Sequence, residues 1–400
     1  MQGSILFNGN IVFEVDFIRK FQARIRASTH ERAEVRESKK VLLICGAWAD
    51  DEYREGHIKD VLRDVGVPSR WVGGFDENIQ NLSVYHDFKH FMSQHPEISA
   101  LYDECLDTIR RVKLFYREKN AALVALLQRH TLLLQGQFSG LKLADVLGYH
   151  VHSRQVHLHT LTPRALLFHH AAQELQGTLN ALVESDERQA RICREVHEYF
   201  LRRSGVENLV SYRQMRDALM ERILSANSIF LFGGNLEALY YTLRFWQLGD
   251  ILKTALTLGA NFYSTSAGSM ILCDKIILYD DFHQDRGMGR RDFEFFDNGL
   301  GLVSKIRLFP HCMERVKTDD LDNLTYLAYR FEGSACVGLN QESYLLLETY
   351  VKEGRIYERF QSLGDQDGVY VFDPGGQKIC HKRGEELLLP GTWGWDHRSV

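Results

Sequence analysis

The chain has 400 residues, 44% of them hydrophobic and 25% charged, which is enough for two to three domains with a sizeable core. Its formal net charge of −5 and pI near 6.4 give no basic surface of the kind that binds nucleic acid. No apolar stretch approaches the ~20 residues of a membrane-spanning helix, and the first residues lack a secretion signal. The seven cysteines are odd in number and scattered, unlike a disulfide framework. We expect a cytoplasmic protein that binds neither nucleic acid nor membrane.

The first predicted element is a hairpin that turns at Asn8 and Gly9, with apolar residues on both sides of the turn. A charged helix follows it. We therefore assign residues 1–39 to an N-terminal appendage made of a hairpin and a helix.

The next elements, over residues 40–80, predict the first part of an α/β domain. Residues 40–46 predict its first strand, and the run from Val41 to Cys45 is continuously apolar, as in the buried strands of a parallel sheet. A helix over about residues 51–65 then leads to a second strand-like segment near Trp71 and Val72.

Residues 81–205 differ in character, because glycine becomes rare and apolar residues recur at helical spacing. Steps of four and three connect one such set: Ile98, Tyr102, Cys105, Ile109, Val112 and Tyr116. A helical face with this spacing usually meets another helix, so we predict an all-helical insertion. A lid, a homodimer interface and a docking surface for another protein all remain open for it.

The same stretch contains a cluster of six histidines: His150, His152, His157, His159, His169 and His170. A tetrahedral zinc site needs three or four ligands, and His-x-His can supply two from one side of a strand. No acidic or thiolate partner lies at a recognisable ligand spacing. We therefore predict structural or surface histidines, with no metal and no other cofactor.

An α/β pattern returns over residues 206–375. Ser211 opens a capping-box pattern for a helix, and residues 228–232 predict a buried strand. That strand runs through Gly233 and Gly234 into another helix. Glycines at such a turn let backbone N–H groups point into a site, as an oxyanion hole requires.

The most informative motif is Ser-Thr-Ser-Ala-Gly at residues 264–268, between a short apolar run and an apolar helix-like run. The pattern predicts a strand, a tight turn and a helix, which is the arrangement of a nucleophile elbow. Ser266 is the central residue, and small residues two before and two after it let the chain bend. Its hydroxyl is expected at a helix N-terminus, where N–H groups favour a developing anion. A plain strand-to-helix turn is the alternative.

His311 is the candidate base, because it ends the strand-like run over residues 305–311 behind Pro310. Open α/β sheets gather their site residues at strand ends. Cys312 follows directly, but neighbouring residues on an extended segment point to opposite sides, which disfavours a Cys312–His311 pair.

After the histidine, residues 334–339 and 343–348 predict strands, and residues 355–360 and 369–372 predict short antiparallel pieces at the edge. We assign residues 376–400 to a C-terminal tail.

These segments, in this order, resemble peptidase family S51, the group of aspartyl dipeptidase and cyanophycinase. The resemblance covers residues 40–74 and 228–348. It implies a mainly parallel sheet flanked by helices, like the flavodoxin-like fold of class I glutamine amidotransferases, here with the large helical insertion. Two positions depart from the family pattern: Ser264 replaces a glycine and Ser269 stands where alanine is commoner. Compact family members lack so long an insertion, so their substrate specificity does not transfer directly.

Within the family, the turn at Gly233 and Gly234 supplies oxyanion donors, the elbow serine is the nucleophile and the histidine is the base. Ala267 would provide a second oxyanion N–H. The acid that orients the histidine is either Asp281, our first choice, or Glu342. An ordinary loop carboxylate is the alternative at both positions.

Substrate binding in this family often uses basic side chains that pair with a substrate carboxylate. The candidates lie in loops near the predicted site: Asn235, Arg286, Arg290 and Arg315. Residues 285–292 are rich in glycine and charge, as in a mobile loop over a site.

The sequence thus predicts a serine hydrolase of small peptides or peptide-like amides, working through an acyl-enzyme. The alternative is a catalytically degenerate α/β domain that acts as a binding or regulatory protein through its helical insertion. Amidotransfer is disfavoured, because the resemblance implies a cysteine at the position of Ser266 in that group of enzymes.

Overall fold

A computed structural model describes residues 3–9, 14–152, 161–279, 293–340, 342–352, 355–364, 368–387 and 389. Its strands are β1 Ser4–Asn8, β2 Val41–Ile44, β3 Trp71–Val72, β4 Phe75–Asp76, β5 Ile79–Asn81, β6 Ser228–Leu231, β7 Asn261–Thr265, β8 Lys275–Tyr279, β9 Phe293–Asn298, β10 Ile306–Pro310, β11 Ala335–Leu339, β12 Tyr344–Lys352, β13 Arg355–Ser362, β14 Val369–Phe372 and β15 Lys378–His381.

Its α-helices are α1 Glu14–Lys20, α2 Gln22–Arg26, α3 Ala33–Ser38, α4 Gly56–Asp64, α5 Val84–Gln94, α6 Pro96–Gln137, α7 Leu143–His152, α8 Pro163–Ser204, α9 Val210–Leu224, α10 Leu236–Phe245, α11 Gly249–Thr257, α12 Ala267–Leu272, α13 Cys312–Arg315 and α14 Leu321–Arg330. Short 3-10 helices span Gly46–Asp51 and Val206–Asn208.

The central sheet has the strand order β13-β12-β1-β7-β6-β2-β5. The five strands from β1 to β5 in that order are parallel, while β12 and β13 are antiparallel to their neighbours. Successive residues point to opposite faces, so Ile5 and Phe7 join one buried cluster and Leu6 joins another. Both faces are buried, which explains the continuous apolar runs. The predicted mixed α/β architecture, with a central sheet flanked by helices, is confirmed.

A second sheet has the order β10-β11-β14-β15. Strands β10 and β11 are parallel, and β14 and β15 follow in antiparallel pairing. The two sheets approach each other at strand ends: a Cβ added to Gly9, just after β1, would lie 2.6 Å from the carbonyl oxygen of Leu339 at the end of β11. This contact brings the ends of β1, β10 and β11 to one place.

Between β5 and β6 the described chain is helical, dominated by α6 and α8 with 42 residues each. The two helices are antiparallel, because Cys105 lies beside Val196 at one end and Leu133 beside Leu167 at the other. The apolar face predicted from Ile98 to Tyr116 is buried or partly buried. Among the described helices, none combines the length and the apolar character needed to cross a bilayer.

The N-terminal prediction was wrong in its placement of β1. Both edges of Ser4–Asn8 are hydrogen-bonded, one to β7 and the other to β12, so this strand is inside the central sheet and not in an appended hairpin. The proposed partner strand, residues 10–13, lies outside the described residues. An apolar strand of five buried residues needs cover on both faces, which a surface hairpin does not provide.

Three smaller predictions also need correction. Trp71–Val72 pairs with β4 in an exposed hairpin, and the strand beside β2 is β5. Helix α9 begins at Val210, and the Ser211 hydroxyl bonds His95 Nε2 at 3.2 Å instead of capping the helix. The tail boundary at residue 376 separates β14 from β15, which pair, and Leu389 is fully buried.

Candidate active site

Ser266 follows β7 and is the N-cap of α12, with φ 44° and ψ −109°. A positive φ is rare for a residue with a side chain, because this backbone conformation costs about 1–3 kcal/mol of strain. It persists only where the surrounding structure enforces it. The surroundings are visible here: the Ser266 N–H donates to the carbonyl of Asn8 at 2.9 Å, and its own carbonyl accepts from Ser269 and Met270. The predicted strand, strained turn and helix are therefore present around Ser266, which is 5% exposed.

Close backbone approaches explain the small residues around the turn. A Cβ added to Gly268 would lie 2.3 Å from the carbonyl oxygen of Leu231, at the end of β6. A Cβ added to Gly233 would lie 2.9 Å from Cβ of Ser266. Neither position accommodates a side chain without movement, so β6, β7 and α12 converge on the serine.

The two departures from the family pattern, Ser264 and Ser269, contact each other. Their hydroxyls are 3.0 Å apart, and both residues are fully buried. The Ser264 hydroxyl donates toward the Leu6 carbonyl at 3.4 Å, and the Asn8 carbonyl lies 3.2 Å from the Ser269 hydroxyl. The pair therefore links both sides of the elbow to β1.

The two glycines of the predicted oxyanion turn have different surroundings. The Gly233 N–H donates to Thr265 Oγ1 at 2.8 Å and is thereby occupied. Gly234 has φ 137°, and its N–H has no acceptor among the described residues. The Ala267 N–H, at the first position of α12, likewise has none within the described chain. Within the described chain, the N–H groups of Gly234 and Ala267 are therefore still available as donors near Ser266.

Asn235, directly after Gly234, contacts the turn that follows β2. Asn235 Oδ1 accepts from the Ala238 N–H at 3.0 Å and caps α10, while its own N–H donates to Ala47 at 2.8 Å. In the same turn Ala49 has φ 52° and ψ −120°, close to the angles of Ser266. Ala49 could not be predicted from the sequence, because alanine does not mark a strained backbone.

His311 stands directly after β10 in a left-handed conformation, φ 53° and ψ 42°, and is 8% exposed. Pro310 pairs in register with Leu339, the residue against which Gly9 packs. Since Asn8 also binds the Ser266 N–H, residues 8 and 9 connect the elbow to the strand end that carries His311. These contacts link the strand end that carries Ser266 to the strand end that carries His311, although the two strands belong to different sheets.

The segment over residues 299–302 packs against the C-terminal end of α12, the helix that follows the elbow. A Cβ added to Gly299 would lie 2.0 Å from the carbonyl oxygen of Cys273. The N–H groups of Leu300 and Leu302 donate to Ile271 and Leu272, the last residues of α12. The glycine-leucine repeat is therefore a packing feature that ties α12 to the strand leading to His311.

Of the two candidates for the acid that orients His311, the structure describes only Glu342. Asp281 lies outside the described residues. Glu342 is exposed and has φ 60°, in a turn closed by the Ser343 N–H and the carbonyl of Asn340. Asn340 Oδ1 accepts from the Met313 N–H at 2.8 Å, which links this turn to the segment after His311.

Glu314 was not among the predicted site residues. Its Oε2 is 3.6 Å from His311 Nδ1, and its side chain is 61% exposed. The i,i+3 spacing on α13 is a signal that could have pointed to this pair.

Of the predicted basic residues, Arg315 ends α13 and is partly exposed, and its N–H donates to the His311 carbonyl at 3.1 Å. Arg286 and Arg290 lie outside the described residues, as does the whole glycine-rich loop over residues 285–292.

Cys312 is fully buried, and burial raises the pKa of its thiol to about 12. A thiol with this pKa carries almost no thiolate near pH 7 and is a poor nucleophile. This agrees with the expectation that Cys312 does not pair with His311 in catalysis.

In the histidine cluster, His169 is 6% exposed and its ring contacts Tyr149 and His170. The side chains of His150 and His152, and the whole of His157 and His159, lie outside the described residues. Among the described side chains, no three His, Cys, Asp or Glu groups converge as metal ligands would.

The chain is similar to a known protein family in sequence and to solved structures in fold. Residues 183–350 match the sequence model of peptidase family S51. The crystal structure of a peptidase from an acI-B1 Actinobacterium is similar over 97% of this chain and 97% of that chain, with 14% identity and a TM-score of 0.42. No curated protein matches the chain. The resemblance to peptidase family S51 is therefore confirmed over residues 183–350, which contain both Ser266 and His311.

Proposed function

We propose that the chain is a serine hydrolase that cleaves small peptides or peptide-like amides, as a dipeptidase or isopeptidase would. The observation that carries this proposal is the backbone of Ser266: a strained turn between a strand and a helix, with the N–H groups of Gly234 and Ala267 beside it. Such strain persists where the surrounding structure enforces it, and it recurs at catalytic nucleophiles. The family match supports a peptidase in general terms.

In the proposed reaction His311 takes the proton of the Ser266 hydroxyl as Oγ attacks the carbonyl carbon of the substrate. The oxyanion that forms accepts hydrogen bonds from the N–H groups of Gly234 and Ala267. His311 then gives its proton to the leaving amine, and the acyl-enzyme remains. Water, deprotonated by the same histidine, attacks the ester and releases the acid and the free serine.

For the acid that orients His311 we keep Asp281 as first choice and Glu342 as the competing one. The link between Asn340 and Met313 supports Glu342, because it couples the turn before Glu342 to the segment after the histidine. Substituting each acid by its amide separates them: the true partner lowers kcat by several orders of magnitude, since the imidazole then loses its preferred tautomer.

Further parts of the proposal concern specificity, fold and location. We propose that Asn235, Arg286, Arg290 and Arg315 line the substrate subsites, with a guanidinium that pairs with a substrate carboxylate. We also propose that the α/β part is of the class I glutamine amidotransferase-like type, that residues 81–205 are its insertion, and that the protein works in the cytoplasm.

The test is degradation of a dipeptide and tripeptide library, with α- and β-linked aspartyl members, followed by mass spectrometry. We expect Ser266→Ala to lower the rate by roughly four to six orders of magnitude, as loss of a triad nucleophile does. Ser93→Ala, at an exposed serine of α5, is the matched control and should leave the rate unchanged. A decrease of less than tenfold would exclude Ser266 as the nucleophile.

A library that neither wild type nor variant cleaves would favour the alternative, a binding or regulatory protein that acts through the helical segment. In that case a partner should co-purify with the full chain and still bind Ser266→Ala.

A further inference from the structure

The outer face of α6 carries a long apolar stripe. Five large side chains on it keep much of their surface exposed: Leu114 55%, Phe115 62%, Leu126 39%, Leu132 67% and Leu133 63%. Leu114 and Leu132 are eighteen residues apart, which is five full turns at 3.6 residues per turn, so they project in the same direction. Such a patch on a water-soluble surface indicates an interaction site.

The middle of the stripe is made of small residues. Ala121, Ala122 and Ala125 are exposed and lie on the same side of α6 as the large residues. The buried residues of α6, such as Tyr102 and Leu127, lie on roughly the opposite side. Small residues at the centre of an exposed face let a second helix approach closely, while the larger residues pack on either side.

The stripe is self-complementary in one arrangement, an antiparallel second copy of the same helix. About the midpoint between residues 123 and 124, three pairs of exposed apolar positions match in kind at equal distances, whereas Leu126 is matched by the smaller Ala121. The matched positions are Ala122 with Ala125, Phe115 with Leu132, and Leu114 with Leu133. A two-fold axis requires this self-complementarity, because both subunits use the same surface.

Two charged residues of the stripe also lie at equal distances from the midpoint, and their charges are opposite in sign. Glu118 and Arg129 are exposed and equally far from the midpoint, and neither has a salt-bridge partner among the described residues. They are about 16 Å apart along the helix at 1.5 Å per residue. In an antiparallel pair, Glu118 faces Arg129 of the partner subunit, and the same pair forms again across the axis.

The size of the surface suits a weak dimer. The stripe is about 30 Å long and one helix wide, and beside it a groove of about 360 Å³ is lined by Leu133, Leu167 and Ala171. The partner's Leu114 lies opposite Leu133 in this register and can extend the contact into that groove. Many interfaces at the low end of the usual size range are weak and transient, so we expect a Kd in the micromolar range, about 10 µM.

We propose that this chain forms a homodimer through antiparallel pairing of α6 with α6 of a second copy, on a two-fold axis between residues 123 and 124. The dimer does not depend on catalysis by Ser266.

Sedimentation velocity over roughly 1 to 100 µM tests the proposal on the full chain. We expect a shift from 46.3 kDa toward twice that mass as concentration rises. Glu118→Arg and Arg129→Glu each place two like-charged pairs in the interface and should raise the Kd about tenfold or more. The double variant restores both pairs with reversed sign and should restore the Kd. Glu221→Arg, on the exposed side of α9, is the control for charge reversal.

A crosslinking experiment fixes the direction of the helices. Ala122→Cys and Ala125→Cys chains, mixed and oxidised, should give far more disulfide-linked dimer than either chain alone, with wild type as the control for native cysteines. A monomer at every concentration overturns the proposal. A dimer unaffected by both charge reversals, or equal crosslinking by each single chain, overturns it as well.

Discussion

Around Ser266 the structure relies on backbone groups, glycines and hydroxyls, whereas the long helices α6 and α8 contact the α/β part through an apolar core that contains buried charge pairs. At the elbow, Gly233 and Gly268 permit close approach, and Thr265 and Asn8 fix the turn by hydrogen bonds. This construction holds Ser266 in a strained conformation and leaves the N–H groups of Gly234 and Ala267 available within the described chain.

The helical contact uses two ion-pair clusters in a largely buried interface. Arg330 of α14 binds Asp186 of α8 through two bonds of 2.8 Å, and Asn120 of α6 donates to the same carboxylate at 2.9 Å. In the second cluster, Lys113 of α6 and Arg244 of α10 approach Asp297 at 3.4 and 3.6 Å.

Buried charges add little net stability when paired but are costly when a partner is removed. The comparison therefore suggests different roles for the two regions. The elbow positions reacting atoms, and the charge clusters fix the register of the helical segment on the sheets. Substitutions in the two regions test that difference.

Asp186→Asn should lower the free energy of unfolding by about 3–5 kcal/mol, because it leaves the Arg330 guanidinium buried without its carboxylate. Chemical denaturation of both proteins measures the difference. Asp107→Asn breaks an exposed ion pair with Arg111 on α6 and should change stability by less than about 0.5 kcal/mol. Equal losses in the two variants would show that burial of the pair is not the cause.

Gly268→Ala should lower kcat/KM by about a hundredfold or more, since the new Cβ meets the Leu231 carbonyl and displaces Ser266 from its position. Steady-state kinetics on the cleaved peptide measure this. Gly177→Ala, in α8 with no atom within 4 Å of the added Cβ, should keep full activity. An active Gly268→Ala enzyme would mean that the elbow tolerates movement.

His197 in α8 provides a pH-dependent test of the helical contact. Burial first and Arg244 second lower the pKa of this imidazole to about 3, from an ordinary value near 6.5. Between these pKa values the unfolded chain binds a proton at His197 that the folded chain does not bind. The contribution of His197 to the free energy of unfolding is therefore complete above pH 6.5 and is lost as the pH falls toward 3.

Between pH 7 and pH 5, the free energy of unfolding of His197→Gln should therefore fall by up to about 2 kcal/mol less than that of wild type. Denaturation curves of both proteins at the two pH values measure this difference. Burial raises the pKa of Asp87 to about 6, so Asp87 also titrates in this range, but it does so in both proteins and cancels in the comparison. Identical pH dependence in the two would show that His197 is protonated in the folded protein.

The smallest expected effect is the coupling between Ser264 and Ser269. Each alanine substitution alone removes one hydroxyl from a buried pair, whereas the double substitution removes both. A double-mutant cycle should give a coupling of about 0.5–1 kcal/mol in the free energy of unfolding. Additive losses would indicate that the two departures from the family pattern are independent.

The sequence alone determined the parts of this protein that depend on local pattern. Small residues around Ser266 predict a tight turn because only they fit it, and apolar periodicity predicts the buried face of α6 because a helix repeats every 3.6 residues. Apolar runs likewise predicted β2 and β6, because a parallel sheet is covered on both faces. Each of these signals is contained within a few turns or one strand.

Tertiary structure decided what distant segments do to one another. Strand β1 looked like half of a hairpin, since Asn8-Gly9 is a turn signal, yet its position between β7 and β12 depends on partners more than 250 residues away. Whether Gly233 or Gly234 keeps a free N–H depends on Thr265, and the approach of Glu314 to His311 depends on a backbone angle at the end of β10. Spacing in the sequence carries no information about such contacts, because they form only when separate strands end at the same edge.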